Sequence, residues 1–185
     1  MRVIVIGASH AGIGFVDAMR RNGFDGGLVL LDALVGQPLE RPPLSKAFLS
    51  ADGEDDRRFL LRKPDWFADN DIELVNGCRV RAVHPDARLV ETASGERMSY
   101  DRLVLAMGAT PRRLLAADGM DGVFELRHPD DAARLRSAAA DAFSAIVIGG
   151  GYIGLEVSAT LAKSGKDVTV IEAAPRLLAR VASPE

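Results

Sequence analysis

Two glycine clusters constrain what this chain can fold into more than any other feature of its sequence. They read GASHAGIG at residues 7–14 and GGGYIG at residues 149–154. Each cluster follows a run of β-branched apolar residues and precedes a segment with the apolar spacing of a helix. The order of buried strand, glycine turn and helix is typical of a βαβ unit in a parallel sheet. The sequence therefore predicts an α/β fold that contains this unit twice.

Hydrophobic periodicity outlines the two units. The first is expected to comprise a buried strand at 2–6, a helix at 11–22 and a second buried strand at 28–31. The second is expected to run in the same order from residue 145 to residue 171. Continuous apolar runs of this kind, without alternation, are typical of strands buried on both faces of a parallel sheet.

The stretch between the two units has a shorter period. Apolar and polar side chains alternate there, and turn signals such as Asn76-Gly77 interrupt them, which predicts an antiparallel meander. Its strands are expected at 72–75, 79–83 and 88–92. The remaining expected elements are a strand at 103–106 and helices at 44–49, 64–70 and 130–142.

A polar connection at residues 109–127 contains proline and glycine and is the best candidate for a domain boundary. We therefore expect two domains, at 1–110 and 111–185. A length of 185 residues is compatible with one or two small domains. The repeated glycine turn favours two.

Composition excludes several classes of protein. With 48% apolar and 26% charged residues the chain is typical of globular proteins, and a net charge of −3 argues against nucleic-acid binding. Its single cysteine cannot form an internal disulfide and leaves no zinc cluster, so we expect no metal site. No apolar run is long enough to span a membrane. The expectation is a soluble cytoplasmic protein.

The second glycine cluster has the spacing of a dinucleotide-binding turn. Gly149 permits the tight turn, Gly151 lets the backbone approach a pyrophosphate, and Gly154 lets helix and strand pack closely. The pyrophosphate lies at the helix N-terminus, where free N–H groups and the helix dipole favour negative charge. Glu172 ends the following strand and is expected to bind the ribose hydroxyls. A turn with this context predicts cofactor binding.

The first cluster departs from the pattern at one position. Gly7 and Gly12 fit, but Ser9 occupies the middle position, where its hydroxyl can donate to a phosphate. Asp32 supplies a ribose acceptor at the expected distance. The alternative interpretation is a purely structural βαβ turn.

The acid after the second unit also bears on the choice between NADH and NADPH. A carboxylate at Glu172 would repel a 2′-phosphate, which argues for NADH. Arg176 lies four residues further on and is the candidate that could receive such a phosphate instead. We expect the effect of Glu172 to outweigh that of Arg176, and we therefore expect NADH to be the cofactor.

The chain resembles the FAD-dependent, NADH-using reductases of ferredoxins and rubredoxins, which feed electrons to oxygenases and cytochromes P450. Four motifs carry the resemblance, and they occur in the family's order along essentially the whole chain. They are GASHAG (7–12), ERPPLSK (40–46), LVLAMGATPR (103–112) and VIGGGYIGLE (147–156). The middle and last motifs are specific, whereas the first alone is generic.

The resemblance implies that the first turn binds FAD and the second binds NADH, with domain 1–110 the FAD domain and 111–185 the start of the NADH domain. The implied FAD residues are Gly7, Ser9, Ala11, Gly12, Asp32, Arg41, Lys46, Val80, Ala106, Gly108 and Arg112. The implied NADH residues are Gly149, Gly151, Tyr152, Gly154 and Glu172. The implied reaction is hydride transfer from nicotinamide to flavin, followed by single-electron transfer to an iron–sulfur protein.

Lys46 and Glu156 resemble the family's lysine–glutamate pair beside the flavin ring, and the resemblance implies a catalytic role for both. Glu156 is expected in the first turn of its helix, where a carboxylate is electrostatically favoured. A buried carboxylate would need a cationic partner, which Lys46 can supply. The alternative interpretation makes Glu156 an ordinary helix acid and Lys46 a solvated lysine.

Related disulfide-type reductases and NADH oxidases are less compatible with this sequence. They use a redox-active cysteine near the flavin, whereas Ser45 lies in that region here and Cys78 falls in the meander, where we expect it to be buried.

Met107 replaces a threonine that the family usually has. The histidines at positions 10, 84 and 128 have no companion at useful spacing and are assigned no catalytic role.

Family members run to roughly twice this length. We therefore expect that the C-terminal half of the usual fold is missing, as in a truncated reading frame, a fragment or a chain completed by a partner. Sheets that lack strands expose edges, which predicts self-association, weak FAD binding and little turnover. The alternative function is a non-catalytic nucleotide-binding module without flavin.

Overall fold

The computed structural model describes residues 1–50 and 56–183. The chain forms two compact units. Unit 1 comprises Met1–Glu40 and Leu60–Ala109, and unit 2 comprises Arg41–Phe59 and Thr110–Glu185. These units differ from a single division after residue 110 in one respect, because the segment Arg41–Phe59 belongs with the C-terminal part of the chain.

The secondary structure follows the periodicity of the sequence closely. The strands are β1 (Arg2–Ile6), β2 (Gly27–Leu31), β3 (Ile72–Val75), β4 (Val80–His84), β5 (Leu89–Thr92), β6 (Arg97–Ser99), β7 (Arg102–Leu105), β8 (Ser144–Ile148) and β9 (Asp167–Ile171). The helices are α1 (His10–Arg21), α2 (Ala47–Ser50), α3 (Pro64–Asp69), α4 (Pro129–Asp141) and α5 (Tyr152–Lys163). Short 3₁₀ turns lie at Pro42–Ser45, Asp56–Phe59 and Leu115–Ala117.

Unit 1 is built on a four-stranded parallel sheet in the order β3-β2-β1-β7. The central strand β1 is buried, and its alternate side chains face two separate cores. Val3 and Val5 pack against Ile13 and Val16 of α1. On the other face, Ile4 and Ile6 pack against the meander. Burial on both faces explains why this strand reads as a continuous apolar run.

One expected strand belongs to a different sheet from the one predicted. Residues 72–75 were expected to open the meander, but β3 pairs in parallel with β2, Leu28 opposite Ile72 and Leu31 opposite Val75. An edge strand of a parallel sheet is covered less completely than a central one, so its side chains alternate as they do in a meander. The antiparallel sheet instead has the order β4-β5-β6. Its third strand has only three residues.

Unit 2 contains the second βαβ unit, in which β8 and β9 pair in parallel from Ser144–Asp167 to Ile148–Ile171. Its core is formed by Leu49 of α2 together with Val157 and Leu161 of α5. The Phe48 carbonyl accepts a hydrogen bond of 3.0 Å from Arg136 of α4. These contacts with α4 and α5 place the segment after Glu40 in unit 2.

The strands of unit 2 are covered less than those of unit 1. Along β8 and β9, exposed and half-buried residues alternate. Ile146 is 68% exposed, Ile148 62% and Ile171 52%. One face of this two-stranded sheet therefore presents isoleucine side chains outward. Within residues 1–50 and 56–183, no helix is long and apolar enough to cross a membrane.

Candidate functional site: two dinucleotide turns and a lysine–glutamate pair

The first glycine turn connects β1 to α1 through a backbone that only glycine tolerates at two positions. Gly7 has φ +108°, and a Cβ there would collide with the Ala106 carbonyl oxygen. A Cβ on Gly12 would collide with the carbonyl oxygen of Gly7. Gly7 N–H donates to the Leu31 carbonyl at 2.7 Å, which links the turn to the end of β2. The turn therefore has the close helix–strand packing of a dinucleotide site.

Ser9 causes no strain at the middle position. It is the N-cap residue of α1, with φ −106° and ψ −166°, which is extended backbone that any residue can adopt. The first turn of α1 contains no acidic side chain, so the positive end of the helix dipole is not neutralised there. Ala11, also in this turn, is exposed. The N-terminus of α1 thus fits a pyrophosphate.

Asp32 follows β2 directly and lies half-buried beside the first turn. It is the next residue after Leu31, whose carbonyl binds Gly7. Among the described residues, its carboxylate accepts one hydrogen bond, a long one of 3.3 Å from Leu34 N–H to Oδ1. The carboxylate therefore keeps most of its acceptor capacity for a ligand such as a ribose.

The second turn repeats this backbone. Gly149 has φ +110° and donates its N–H to the Ile171 carbonyl at 2.8 Å. A Cβ on Gly154 would collide with the carbonyl oxygen of Gly149. Gly151 is the N-cap of α5, and no described residue has an atom within 4 Å of where its Cβ would lie. The position therefore leaves open space in front of the helix N-terminus, as a bound phosphate requires.

Glu172 is held against the second turn by two backbone amides. Its Oε2 accepts a hydrogen bond from Gly150 N–H at 2.6 Å, and its Oε1 accepts one from Ala174 N–H at 2.7 Å. The Ala174 amide, followed by the Gly150 amide, holds the pKa of Glu172 below its usual value. The acid is therefore ionised at neutral pH and lies at the turn, where the sequence predicted it.

Gly150 has a structural role that the sequence pattern did not reveal. A Cβ at this buried position would collide with the side chain of Leu177 and crowd the carboxylate of Glu172. The Gly150 carbonyl accepts a hydrogen bond of 2.9 Å from Leu178 N–H. The segment after β9 therefore packs on the turn, with Leu177 against Gly150.

Arg176 is hydrogen-bonded within its own segment. Its Nη2 donates to the Ala182 carbonyl at 2.6 Å and lies 3.4 Å from the Ala179 carbonyl. Its Nη1 lies 3.4 Å from the Leu177 carbonyl. The guanidinium is thus occupied by carbonyl groups of its own segment, while the acid at Glu172 lies at the turn.

Lys46 and Glu156 form an ion pair inside unit 2. Lys46 Nζ lies 2.7 Å from Glu156 Oε2. The Ser45 hydroxyl donates to the same oxygen at 2.5 Å, a contact that the sequence did not predict. The ammonium group first, and then the Ser45 hydroxyl, hold the pKa of Glu156 below its usual value.

The position of Glu156 in its helix differs from the prediction. It is the fifth residue of α5, which begins at Tyr152, so it lies beyond the first turn, and that turn holds no acid. The helix starts directly after Gly151 because that residue is the N-cap. Lys46 and Ser45, rather than the helix terminus, are therefore the groups that bind the carboxylate.

Arg41 also has its contacts within unit 2. Its Nη1 donates to the Arg127 carbonyl at 2.9 Å and lies 3.3 Å from His128 Nδ1. Burial first, and then the charge of Arg41, lower the pKa of His128. Arg41 thus connects the start of the Pro42–Ser45 turn to the N-terminus of α4.

The other predicted site residues occupy varied positions. Ala106 N–H donates to the Ile6 carbonyl at 2.8 Å, and Gly108 has φ +71°. Val80 pairs with Thr92 across β4 and β5. Tyr152 is 58% exposed, and Arg112 is exposed in the connection after β7.

Cys78, expected to be buried, is half-buried, and burial raises its pKa.

A groove adjoins the ion pair. Its volume is about 510 Å³, and Lys46 and Glu156 lie in its wall. The other lining residues are Ala47, Ser50, Ala159, Thr160, Lys163 and Ser164. The pair therefore borders a space large enough for a small organic group.

Two glycine turns of this kind, each followed by an acid at the end of the next strand, define an α/β protein of the dinucleotide-binding class. The sequence pattern of the pyridine nucleotide-disulphide oxidoreductases matches residues 1–185. The chain belongs to this family, whose members use FAD and NAD(P)H. The expected resemblance to ferredoxin and rubredoxin reductases is confirmed.

Several curated relatives are reductases of small electron carriers. The chain is 41% identical over 181 residues to a ferredoxin–NAD(P)⁺ reductase of Sphingomonas sp., covering 97% of this chain and 44% of the relative. It is 41% identical over 180 residues to the terpredoxin reductase of Pseudomonas sp., covering 97% and 43%. It is 37% identical over 185 residues to a rubredoxin–NAD⁺ reductase of Pseudomonas putida, covering 100% and 48%.

Solved structures agree with this assignment. A covalent complex of putidaredoxin reductase with putidaredoxin contains a chain with TM-score 0.93 and 37% identity, covering 99% of this chain and 45% of that one. A ferredoxin reductase from Rhodopseudomonas palustris gives the same values. The chain thus spans a little less than half the length of the relatives and structures that it matches.

Proposed function

We propose that this chain is part of a flavoprotein reductase that passes electrons from NADH through FAD to a ferredoxin or rubredoxin. The observation that carries the proposal is the presence of two separate dinucleotide turns in one chain, at residues 7–12 and 149–154. A hydride reaction between two dinucleotide cofactors requires two binding sites, and two such turns can supply them. A simple nucleotide-binding module requires only one.

The first turn fits the ADP half of FAD. The open N-terminus of α1 would hold the pyrophosphate, and the Ser9 side chain is a suitable additional donor. Asp32 would accept the ribose hydroxyl groups. The approach of Ala106 to Gly7 places β7 directly beside this turn.

The second turn fits NADH. The open space beside Gly151 would admit the pyrophosphate. The ionised carboxylate of Glu172 disfavours a 2′-phosphate through charge repulsion, and Arg176 is bound to carbonyls of its own segment. These observations support NADH as the hydride donor.

FAD, when bound, accepts a hydride and releases single electrons, which is the chemistry that a one-electron acceptor needs. We place the Lys46–Glu156 pair beside the flavin ring, as the resemblance to the reductases implies. There Lys46 would supply a positive charge, and Glu156, whose Oε2 lies 2.7 Å from Lys46 Nζ, balances that charge. The pair thereby brings a cation to the flavin without leaving an unpaired charge.

The names of the relatives support an iron–sulfur acceptor, since they include reductases of ferredoxin, rubredoxin and terpredoxin. The acceptor of this protein, the oxygenase or cytochrome P450 that it serves and a cytoplasmic location are parts of the same proposal. So is self-association through exposed sheet edges, such as those of the two-stranded sheet β8-β9.

The proposal is tested by reconstituting the 185-residue chain with FAD and recording the flavin absorption bands. NADH is then added under anaerobic conditions, with NADPH as the comparison. Bound flavin that NADH bleaches faster than NADPH supports the proposal. Because weak FAD binding is expected, flavin uptake is measured over a wide range of FAD concentrations. Stoichiometric NADH binding by a chain that takes up no flavin even at a large excess of FAD overturns the proposal and favours the nucleotide-binding module.

A further inference from the structure

Ser45 and Lys46 are sequence neighbours, and both bind the same atom of α5. The Ser45 hydroxyl donates to Glu156 Oε2 at 2.5 Å, and Lys46 Nζ lies 2.7 Å from that oxygen. Within the described part of the chain, neither bond involves Oε1. Two donors on one oxygen determine the orientation of the carboxylate group as well as its charge state.

The two donors differ in how firmly they are held. The lysine side chain is 52% exposed, and exposed ion pairs of flexible side chains contribute little to fixed geometry. Ser45 is only 5% exposed and lies at the end of the Pro42–Ser45 turn. A single side-chain torsion, χ1, separates the Ser45 oxygen from the backbone. The serine therefore restricts the position of its acceptor more than the lysine does.

The backbone of Ser45 is itself attached to α5. Thr160 Oγ1 lies 2.8 Å from the Ser45 carbonyl oxygen and 2.9 Å from the Glu156 carbonyl oxygen. Thr160 is one helical turn beyond Glu156 and donates its single hydroxyl hydrogen to either carbonyl. Both the main chain and the side chain of Ser45 are therefore tied to the helix that carries Glu156.

We propose that Ser45 is the positioning residue of this charge pair. Its hydroxyl holds Glu156 Oε2 against Lys46 and leaves Oε1 as the acceptor for an N–H or O–H donor in the adjoining groove. The positioning itself is a property of unit 2. Its consequence for hydride transfer rests on the proposed reductase function.

The positioning is tested in the 185-residue chain without cofactor, by following the side-chain carboxyl of Glu156 with ¹³C NMR during a pH titration. Glu156→Gln identifies the resonance. Ser45→Ala removes a donor to the ionised carboxylate, so the pKa of Glu156 should rise. Ser158→Ala is the matched control, because that hydroxyl donates to the Gly154 carbonyl of its own helix at 2.8 Å.

Ser45→Thr retains the hydroxyl and should restore the titration of the unmodified chain. A Glu156 pKa that is the same in Ser45→Ala as in the unmodified chain overturns the proposal. If Ser45→Ala fails to fold, a crystal structure of the unmodified chain decides. An Oγ–Oε2 separation beyond about 3.5 Å contradicts the proposal, and a shorter one supports it.

A second readout separates this inference from the proposed function. In flavin-loaded protein, Ser45→Ala should lower the rate of flavin reduction at saturating NADH and leave the KM for NADH unchanged. A chain that binds no flavin even at a large excess of FAD refutes the reductase, while the Glu156 titration still decides the role of Ser45. A normal rate together with a normal Glu156 pKa refutes the positioning role alone.

Discussion

The two glycine turns repeat one backbone but differ in what surrounds them. Gly7 and Gly149 have nearly identical φ angles, +108° and +110°, and each donates its N–H to the last residue of the neighbouring strand. The N-cap positions differ, with Ser9 in the first turn and Gly151 in the second. Because both N-caps have extended backbones, this difference concerns the ligand and not the fold.

The acids of the two turns differ more. Within residues 1–50 and 56–183, the Asp32 carboxylate accepts one long hydrogen bond of 3.3 Å, whereas that of Glu172 accepts two short ones, of 2.6 and 2.7 Å. The first acid is thus largely free for a ligand, and the second also stabilises its own loop. The comparison shows that residues at equivalent positions of a repeated motif can differ in how much they stabilise the loop and how much they are available to bind a ligand.

The largest effect is expected from replacing the glycine that allows helix and strand to pack in each turn. Gly12→Ala and Gly154→Ala both place a Cβ against a carbonyl oxygen, so each should destabilise its unit by about 2–3 kcal/mol. Urea denaturation measures the free energy of unfolding of both variants, and hydrogen exchange shows which unit has lost stability. Gly14→Ala is the control, because no described atom outside its chain neighbours and the nearby backbone of α1 lies within 4 Å of its added Cβ, and it should be neutral or stabilising. Equal stability of all three variants would show that the turns are not packed as described.

A smaller effect is expected from neutralising the acids, and it should differ between the turns. The pKa of Glu172 is lowered in the folded state, so its contribution to stability is full above the unfolded value of about 4.3 and is lost as pH falls through the folded value. Glu172→Gln should therefore be less stable than the unmodified chain at pH 7 and converge with it in acid. Asp32→Asn should lose less stability at pH 7. Denaturant titrations across this pH range check both, and a larger loss for Asp32→Asn would reverse the comparison.

The smallest effect on folding is expected at the N-cap positions. Gly151→Ala should destabilise the chain by no more than about 1 kcal/mol, because its Cβ points into open space and only the helix cap is weakened, yet it should weaken NADH binding there. Ser9→Gly should cost no more than a few tenths of a kcal/mol. Calorimetric titration with NADH, together with thermal unfolding, separates binding from folding. Unchanged NADH affinity in Gly151→Ala would place the ligand elsewhere.

Much of the fold could be predicted from local patterns. The bounds of β1, α1 and β2 agree with their expected positions to within a residue or so, because buried apolar runs, glycine turns and helical spacing are local properties. The strand at 72–75 was found correctly but assigned to the wrong sheet. Its alternation of apolar and polar side chains indicates a partly buried strand. Partly buried strands occur both in a meander and at the edge of a parallel sheet, so the pattern does not distinguish them.

The candidate site was predictable to different degrees. The glycines and the acids Asp32 and Glu172 follow from spacing alone, whereas the pairing of Lys46 with Glu156 came from the resemblance. Neither route found the contact of Ser45 with Glu156 or the packing of Leu177 on Gly150. A serine before a lysine has many structural roles, and nothing in its local sequence identifies a partner on a distant helix.

By itself, the sequence determined the two βαβ units, their glycine turns and the acids that follow them. These features depend on steric limits and side-chain periods within about thirty residues. Only the tertiary structure decided that residues 41–50 pack on α4 and α5, which brings Ser45 to Glu156 across 111 positions of the chain. Burial of Phe48 and Leu49 drives that packing, and burial depends on which surfaces meet after the helices have formed.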